Sequence, residues 1–326
     1  MKYIKLGNTG LEVSKLCLGC MGFGERGRGR EEWSLDEEHS REIIKRALEL
    51  GINFFDTANY YSLGSSEEIL GKALKDFAKR EEVVIASKLY FPMHEGPNAK
   101  GLSRKNIFTE IDKTLERLQT DYLDLYIIHR FDYNTPIEET MEALNDLVKM
   151  GKVRYIGASS MHAWQFAKAN YIAEKNGWVK FVSMQDLYNL LYREEEREMI
   201  PLIKDQKIAM TPWSPLAQGR LTRDIGVETD RSKQEAMSKE QDDYALEADN
   251  EVIKRCHELA DKKGISRGQV AMAWVLSKDY VTSPLVGATK IKYLEDAVGA
   301  LDVELTGEEI AYLEEPYLPH KIVGYK

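Results

Sequence analysis

Two kinds of hydrophobic spacing alternate along the chain: short apolar or β-branched runs, and longer stretches in which apolar residues return every three or four positions. The short runs predict strands at Lys15–Gly19, Asn53–Asp56, Val83–Lys88, Asp124–His129, Val153–Ser159, Phe181–Gln185, Ile208–Trp213 and Ser283–Gly287. The longer stretches predict amphipathic helices at Glu38–Leu50, Ser66–Phe77, Lys105–Leu118, Ile137–Met150, Trp164–Lys175 and Glu195–Lys204. Two further helices, Glu251–Lys263 and Ser266–Ser277, precede the last strand. Such alternation builds parallel βαβ units, and eight of them close into an α/β fold of the (β/α)8, or TIM, barrel type.

Punctuation agrees with this reading. Gly51, Gly151 and Gly177 fall just past helix ends, and Pro136 stands at a helix start. Residues 1–14 carry a turn (Asn8, Thr9, Gly10) between apolar stretches and predict a hairpin capping the bottom of the barrel. The rhythm breaks at Phe23–Asp36 and at 216–250, both polar and read as mobile loops. With a C-terminal helix and tail at 302–326, the expectation is a single domain over 1–326.

Composition narrows the function classes. A net charge of -9 gives no basic face for nucleic acid, and 43% hydrophobic residues suffice for a large core. No apolar run is long enough to span a membrane and the N-terminus lacks a secretory pattern, so a cytoplasmic protein without a membrane partner is expected. Three cysteines do not make a disulfide framework. Cys17 and Cys20 form C-x-x-C, but no second pair or His cluster accompanies them, and they read as small apolar strand residues rather than metal ligands.

Gly22, Gly24 and Gly27 match G-x-G-x-x-G after a strand, yet no apolar helix follows, so a Rossmann phosphate site is disfavoured. Arg26, Arg28 and Arg30 in the same loop are available to an anionic ligand or to solvent. More telling are polar residues where apolar strands stop: Asp56 after INFF, Lys88 after VVIAS, His129 after DLYII, with Tyr60 and Tyr61 close behind Asp56. In a barrel these ends converge on the C-terminal face. A Lys paired with a carboxylate stays cationic and draws a nearby phenol's pKa down toward the working range. Such a phenol can protonate an oxygen that is becoming an alkoxide, while an imidazole orients the carbonyl. No nucleophile or metal accompanies them, so a cofactor supplies the reducing equivalent and hydride transfer fits best.

These residues and their order resemble the aldo-keto reductase superfamily over essentially the whole chain. GINFFDTANYYSLGSSEEILGKAL, VVIASK and YIIHR are similar to the segments carrying its tetrad, which implies Asp56, Tyr61, Lys88 and His129 as the catalytic set. The resemblance selects Tyr61 over Tyr60. It also implies a nicotinamide dinucleotide bound without a Rossmann domain. By resemblance Ser159, Ser160 and Gln185 hold the carboxamide, Trp213 stacks on the ring, and Ser214, Leu216, Gly219 and Arg220 meet the pyrophosphate. Gly287, Thr289 and Lys290 match the adenosine segment, but Tyr293 and Ala297 stand where the family commonly has Gln and Asn, so Asp296 is a substitute contact.

Lys290 and Lys292 favour NADPH, with NADH as the alternative. The resemblance is strongest to the aryl-alcohol dehydrogenase-like, long-loop bacterial and fungal branch. It implies a small-molecule carbonyl substrate, walled by Phe23, Tyr60, Tyr90 and Arg130 beside Trp213, and gives no oligomeric state. A cofactor-binding sensor of the same fold, like the channel β subunits, is the other reading.

Overall fold

Strands buried at every position need cover on both faces, and β4 (Phe54–Asp56), β5 (Val84–Leu89) and β6 (Leu123–Ile128) are buried throughout. The computed structural model describes residues 1–29, 33–229 and 246–325; Arg30 lies outside the described residues. With β3 (Cys17–Gly19), β7 (Val153–Ser159), β8 (Phe181–Gln185), β9 (Ala209–Met210) and β10 (Leu285–Gly287), the strands pair in parallel in the order β10-β3-β4-β5-β6-β7-β8-β9. The ring closes where Thr282 N–H donates to the Met210 carbonyl at 2.8 Å and Leu285 N–H to that of Pro212 at 2.9 Å. This is the (β/α)8 barrel expected from the alternation. Ahead of it, β1 (Tyr3–Lys5) and β2 (Glu12–Ser14) form the N-terminal antiparallel hairpin. Gly7 lies so close to the start of β9 that an added Cβ would sit 2.7 Å from the Ala209 nitrogen, which places the hairpin at the N-terminal end of the strands.

Ten α-helices surround the strands among the described residues: α1 (Glu37–Glu49), α2 (Ser65–Phe77), α3 (Arg104–Leu118), α4 (Ile137–Lys149), α5 (Ala163–Asn176), α6 (Met199–Gln206), α7 (Glu247–Lys263), α8 (Arg267–Leu276), α9 (Ile291–Gly299) and α10 (Gly307–Glu314). Their starts are locally encoded. Asp36, Ser103, Ser266 and Thr306 each accept a backbone N–H of the first turn.

Three expected boundaries move by three residues or more. The seventh barrel strand shortens because Pro212 has no N–H for the ladder, although Trp213 N–H still donates to the Asp186 carbonyl at 2.9 Å. The helix expected from Glu195 begins at Met199 instead, which keeps Pro201 in the first turn, where a missing N–H costs nothing. Glu247, inside the expected loop, already begins α7.

Alternation along the strands divides the core in two. Phe54, Val84, Ala86, Leu125, Ile127, Ala209 and Leu285 fill the barrel interior together with Cys17. Phe55, Ile85, Tyr126 and Ile128 join the larger core shared with the helices. Two residues on from each inward position, the same period carries Asp56, Lys88 and His129 toward the axis at the top of the barrel. Cys17 and Cys20 are free, buried thiols whose ionisation burial opposes, as their apolar reading requires. No helix among the described residues is long and apolar enough to cross a membrane.

Candidate active site

The inward-pointing ends of β4 and β5 meet first. Lys88, fully buried, donates from Nζ to Asp56 Oδ1 at 2.5 Å, to the Thr57 carbonyl at 2.9 Å and to Tyr61 Oη at 3.1 Å. Burial pulls the pKa of Lys88 down, but Asp56 and Tyr61 outweigh it and hold the ammonium above the ordinary lysine range. Burial also dominates at Tyr61: its pKa lies above the usual phenol value even though Lys88 pulls it down. This corrects the expectation of a phenol lowered by its cation, because removal from water is the larger effect here. Tyr61 keeps its proton across neutral pH, and Lys88 favours the phenolate only as charge develops on it.

His129 follows β6, with its ring edge-on to Tyr61 at 5.7 Å between centroids. Burial pushes its pKa well below the usual imidazole value, and Lys88 and Arg130 act in the same direction. The neutral ring leaves Nδ1 buried without a partner among the described residues. Tyr61 is set by a forced turn: Ser62 and Leu63 adopt φ of 44° and 45°. The glycine-rich loop braces this turn. A Cβ on Gly24 would fall 2.1 Å from Ser62 Oγ, and Arg28 Nη2 donates to the Leu63 carbonyl at 3.1 Å. Arg28 is also paired with Glu68, and Arg26 bonds the Ser34 carbonyl, so these two arginines brace the loop rather than wait for an anion.

β7 and β8 bring the second group. Ser159 Oγ donates to the Gln185 carbonyl at 2.8 Å, and Trp213 Nε1 donates to Ser160 Oγ at 3.3 Å. Gln185 Nε2 donates to Asp56 Oδ2 at 2.9 Å across the barrel. Its amide oxygen accepts no hydrogen bond among the described residues. Beyond β9, Ser214, Ala217, Gln218 and Gly219 take positive φ. Gly219 N–H closes a turn onto the Leu216 carbonyl at 2.9 Å, so that donor is spent within the loop. The N–H groups of Ser214 and Leu216 have no partner among the described residues. Arg220 is half-buried at the end of the loop.

Gly287, Thr289 and Lys290 are exposed beside this loop, at the end of β10 and the start of α9. Asp296 is half-buried on α9, where Ala297 faces the core.

Aromatic rings line the opposite side. Phe91, not anticipated from sequence although it continues the strand end after Tyr90, centres the group at 5.0 Å from Tyr60, 5.3 Å from Tyr90 and 5.0 Å from His129. Phe23 is fully buried and presents no accessible wall, because its ring belongs to the main hydrophobic core, where Leu35 packs beside it. The C-terminal tail, expected at 302–326 without a role, also reaches the site. His320 pairs with Asp249, Tyr317 donates to Glu194, and Tyr325 donates to Glu195, which brings Gly324 beside Trp213.

Glu195 and Asp186 are buried, hydrogen-bonded carboxyl groups, and burial raises the pKa of each. Asp186 Oδ1 accepts the Ser160 N–H at 2.8 Å. Folding therefore retains protons that the unfolded chain releases, and stability falls as pH rises from the carboxylate range past neutrality. Asp186→Asn keeps the acceptor and removes one titrating group. Its melting temperature is expected to exceed the wild type's by about 2 °C or more at pH 8.5 and to match it at pH 5; an unchanged difference across pH excludes this source.

The ionisable groups gather at the C-terminal face of the barrel, and the chain matches the aldo/keto reductase family over residues 15–317. The protein belongs to the aldo/keto reductase family and is an oxidoreductase acting on carbonyls. It is 47% identical to a versiconal hemiacetal acetate reductase of Aspergillus parasiticus, covering 99% of this chain and 98% of that one. A Schizosaccharomyces pombe protein provisionally named an aryl-alcohol dehydrogenase is 45% identical, over 98% and 96% of the two chains. An aldo-keto reductase of Metarhizium robertsii is 41% identical, over 99% and 93%.

Proposed function

We propose that the protein reduces an aldehyde or ketone to the alcohol with NADPH, using Tyr61 as the proton donor. The observation that carries this reading is the Asp56–Lys88–Tyr61 chain of hydrogen bonds beside a neutral His129. The nicotinamide, when bound, supplies the hydride. The carbonyl oxygen, held by the His129 imidazole and Tyr61 Oη, takes the phenolic proton as negative charge grows on it. Lys88 stabilises the phenolate left behind, and Asp56 keeps Lys88 protonated. Solvent returns the proton to Tyr61 once the alcohol has left. Hydride and proton together convert C=O to CH–OH.

The residues suit the cofactor. The Gln185 amide oxygen and the Ser159 and Ser160 hydroxyls match the donors and acceptor of a carboxamide, and Trp213 offers its ring. Ser214 and Leu216 offer N–H groups to a phosphate, with Arg220 close by. Gly287, Thr289 and Lys290 open the segment for the adenosine end, Asp296 adds a polar contact there, and Lys290 with Lys292 supplies charge for a 2′-phosphate. The comparison with NADH is the test. Over a panel of aromatic and aliphatic aldehydes and ketones, NADPH is oxidised faster than NADH, and Lys290→Ala lowers that preference about threefold to tenfold. NADPH binding without oxidation by any carbonyl would favour a sensor instead.

A further inference from the structure

Arg130 brings a guanidinium to the mouth of the barrel directly after His129. It is half-buried, it lies over the Phe91 ring at 5.4 Å, and burial lowers its pKa. Among the described residues it forms no ion pair. Its one hydrogen bond runs from Nη1 to the His129 carbonyl at 2.6 Å, which leaves most of its five N–H donors unused. Asp186 attracts Arg130 through space but makes no ion pair with it among the described residues, and burial together with neighbouring Glu195 holds Asp186 toward its neutral form. A charge partly withdrawn from water without a partner is costly, so a counter-ion arriving from outside would repay its position.

The phosphates of a dinucleotide are poor candidates for that counter-ion. Arg130 follows β6, fifth in the ring, whereas the Ser214–Leu216 turn follows β9, eighth and three strands away, and Lys290 follows β10, first and diametrically opposite. What lies beside Arg130 is the aromatic group of Tyr60, Tyr90 and Phe91, with Tyr61 and His129 beneath. A planar guanidinium suits a carboxylate through two parallel hydrogen bonds, and the rings suit a flat apolar spacer between that carboxylate and the reacting carbonyl.

We propose that Arg130 is the counter-ion for a carboxylate on the substrate, and that aromatic aldehydes bearing a ring carboxylate are the preferred class. The proposal rests on the carbonyl-reductase reading and is separable from it. The experiment compares kcat/KM with NADPH for benzaldehyde and its ortho, meta and para carboxy derivatives. At least one carboxy isomer should exceed benzaldehyde by about tenfold to a hundredfold. Arg130→Leu should bring that ratio to about one or below, and Arg130→Lys should keep part of it.

Turnover of benzaldehyde itself reports on the reductase reading, whereas the ratio reports on Arg130. No isomer above benzaldehyde, or a ratio that survives Arg130→Leu, overturns the proposal and leaves carbonyl reduction standing. If no aldehyde is reduced, calorimetric titration of the cofactor-free protein with the carboxybenzyl alcohols and with benzyl alcohol still decides. Carboxylate-dependent binding lost in Arg130→Leu supports the proposal, and equal binding of charged and uncharged alcohols overturns it.

Discussion

Tyr61→Phe is expected to lower kcat for aldehyde reduction by about 10²–10⁴-fold while leaving NADPH affinity within a few-fold of wild type. The substitution removes one oxygen. Lys88 keeps its bonds to Asp56 and to the Thr57 carbonyl, so the cation stays compensated and the fold is expected to hold. The half-buried ring and the forced turn at Ser62 and Leu63 are preserved. Only the proton that reaches the developing alkoxide is lost. Stopped-flow measurement of a single turnover separates this loss from product release, and a hydride-transfer rate within tenfold of wild type would remove Tyr61 from the mechanism.

Lys88→Met tests the other half of the arrangement and has the largest expected effect on stability. Asp56, almost wholly buried, would keep its bond from Gln185 but lose its cation. Breaking a buried pair by removing one partner costs about 3–5 kcal/mol, which for a chain of this size lowers the melting temperature by roughly 5–10 °C. Turnover should fall together with it, because the phenolate of Tyr61 loses its stabilising charge. The paired variant Asp56→Leu with Lys88→Met is expected to recover most of the lost stability and none of the activity. If the single variant melts at the wild-type temperature, the bond between Asp56 and Lys88 does not contribute to holding the fold.

The parts of this site that were legible in the sequence are those that obey a period. Asp56, Lys88 and His129 stand two positions beyond inward-facing Phe54, Ala86 and Ile127, so strand alternation alone aims them at the axis. The choice of Tyr61 over Tyr60 was not periodic and came from the resemblance. Its placement depends on a left-handed turn braced by Gly24 and Arg28, residues that read as a polar loop with arginines available to an anion or to solvent. Phe91 was within reach, since it directly follows a strand end. Tyr325 was not, because its partner Glu195 is distant in the chain and nothing local marks either residue as buried. The direction of the Tyr61 shift was also missed, because a sequence shows which charges are near but not how much water is gone.

The bond from Gln185 to Asp56 carries one more consequence. β4 and β8 are third and seventh of the eight strands, so this hydrogen bond spans a diameter of the ring. The site therefore belongs to neither half of the barrel. A chain cleaved between α5 and β8 leaves the Asp56–Lys88–Tyr61 cluster on one fragment and the Gln185 brace, Trp213 and the following loop on the other. Only reassembly of both fragments restores the constellation, so this enzyme suits a split-protein reporter whose signal is chemistry rather than fluorescence.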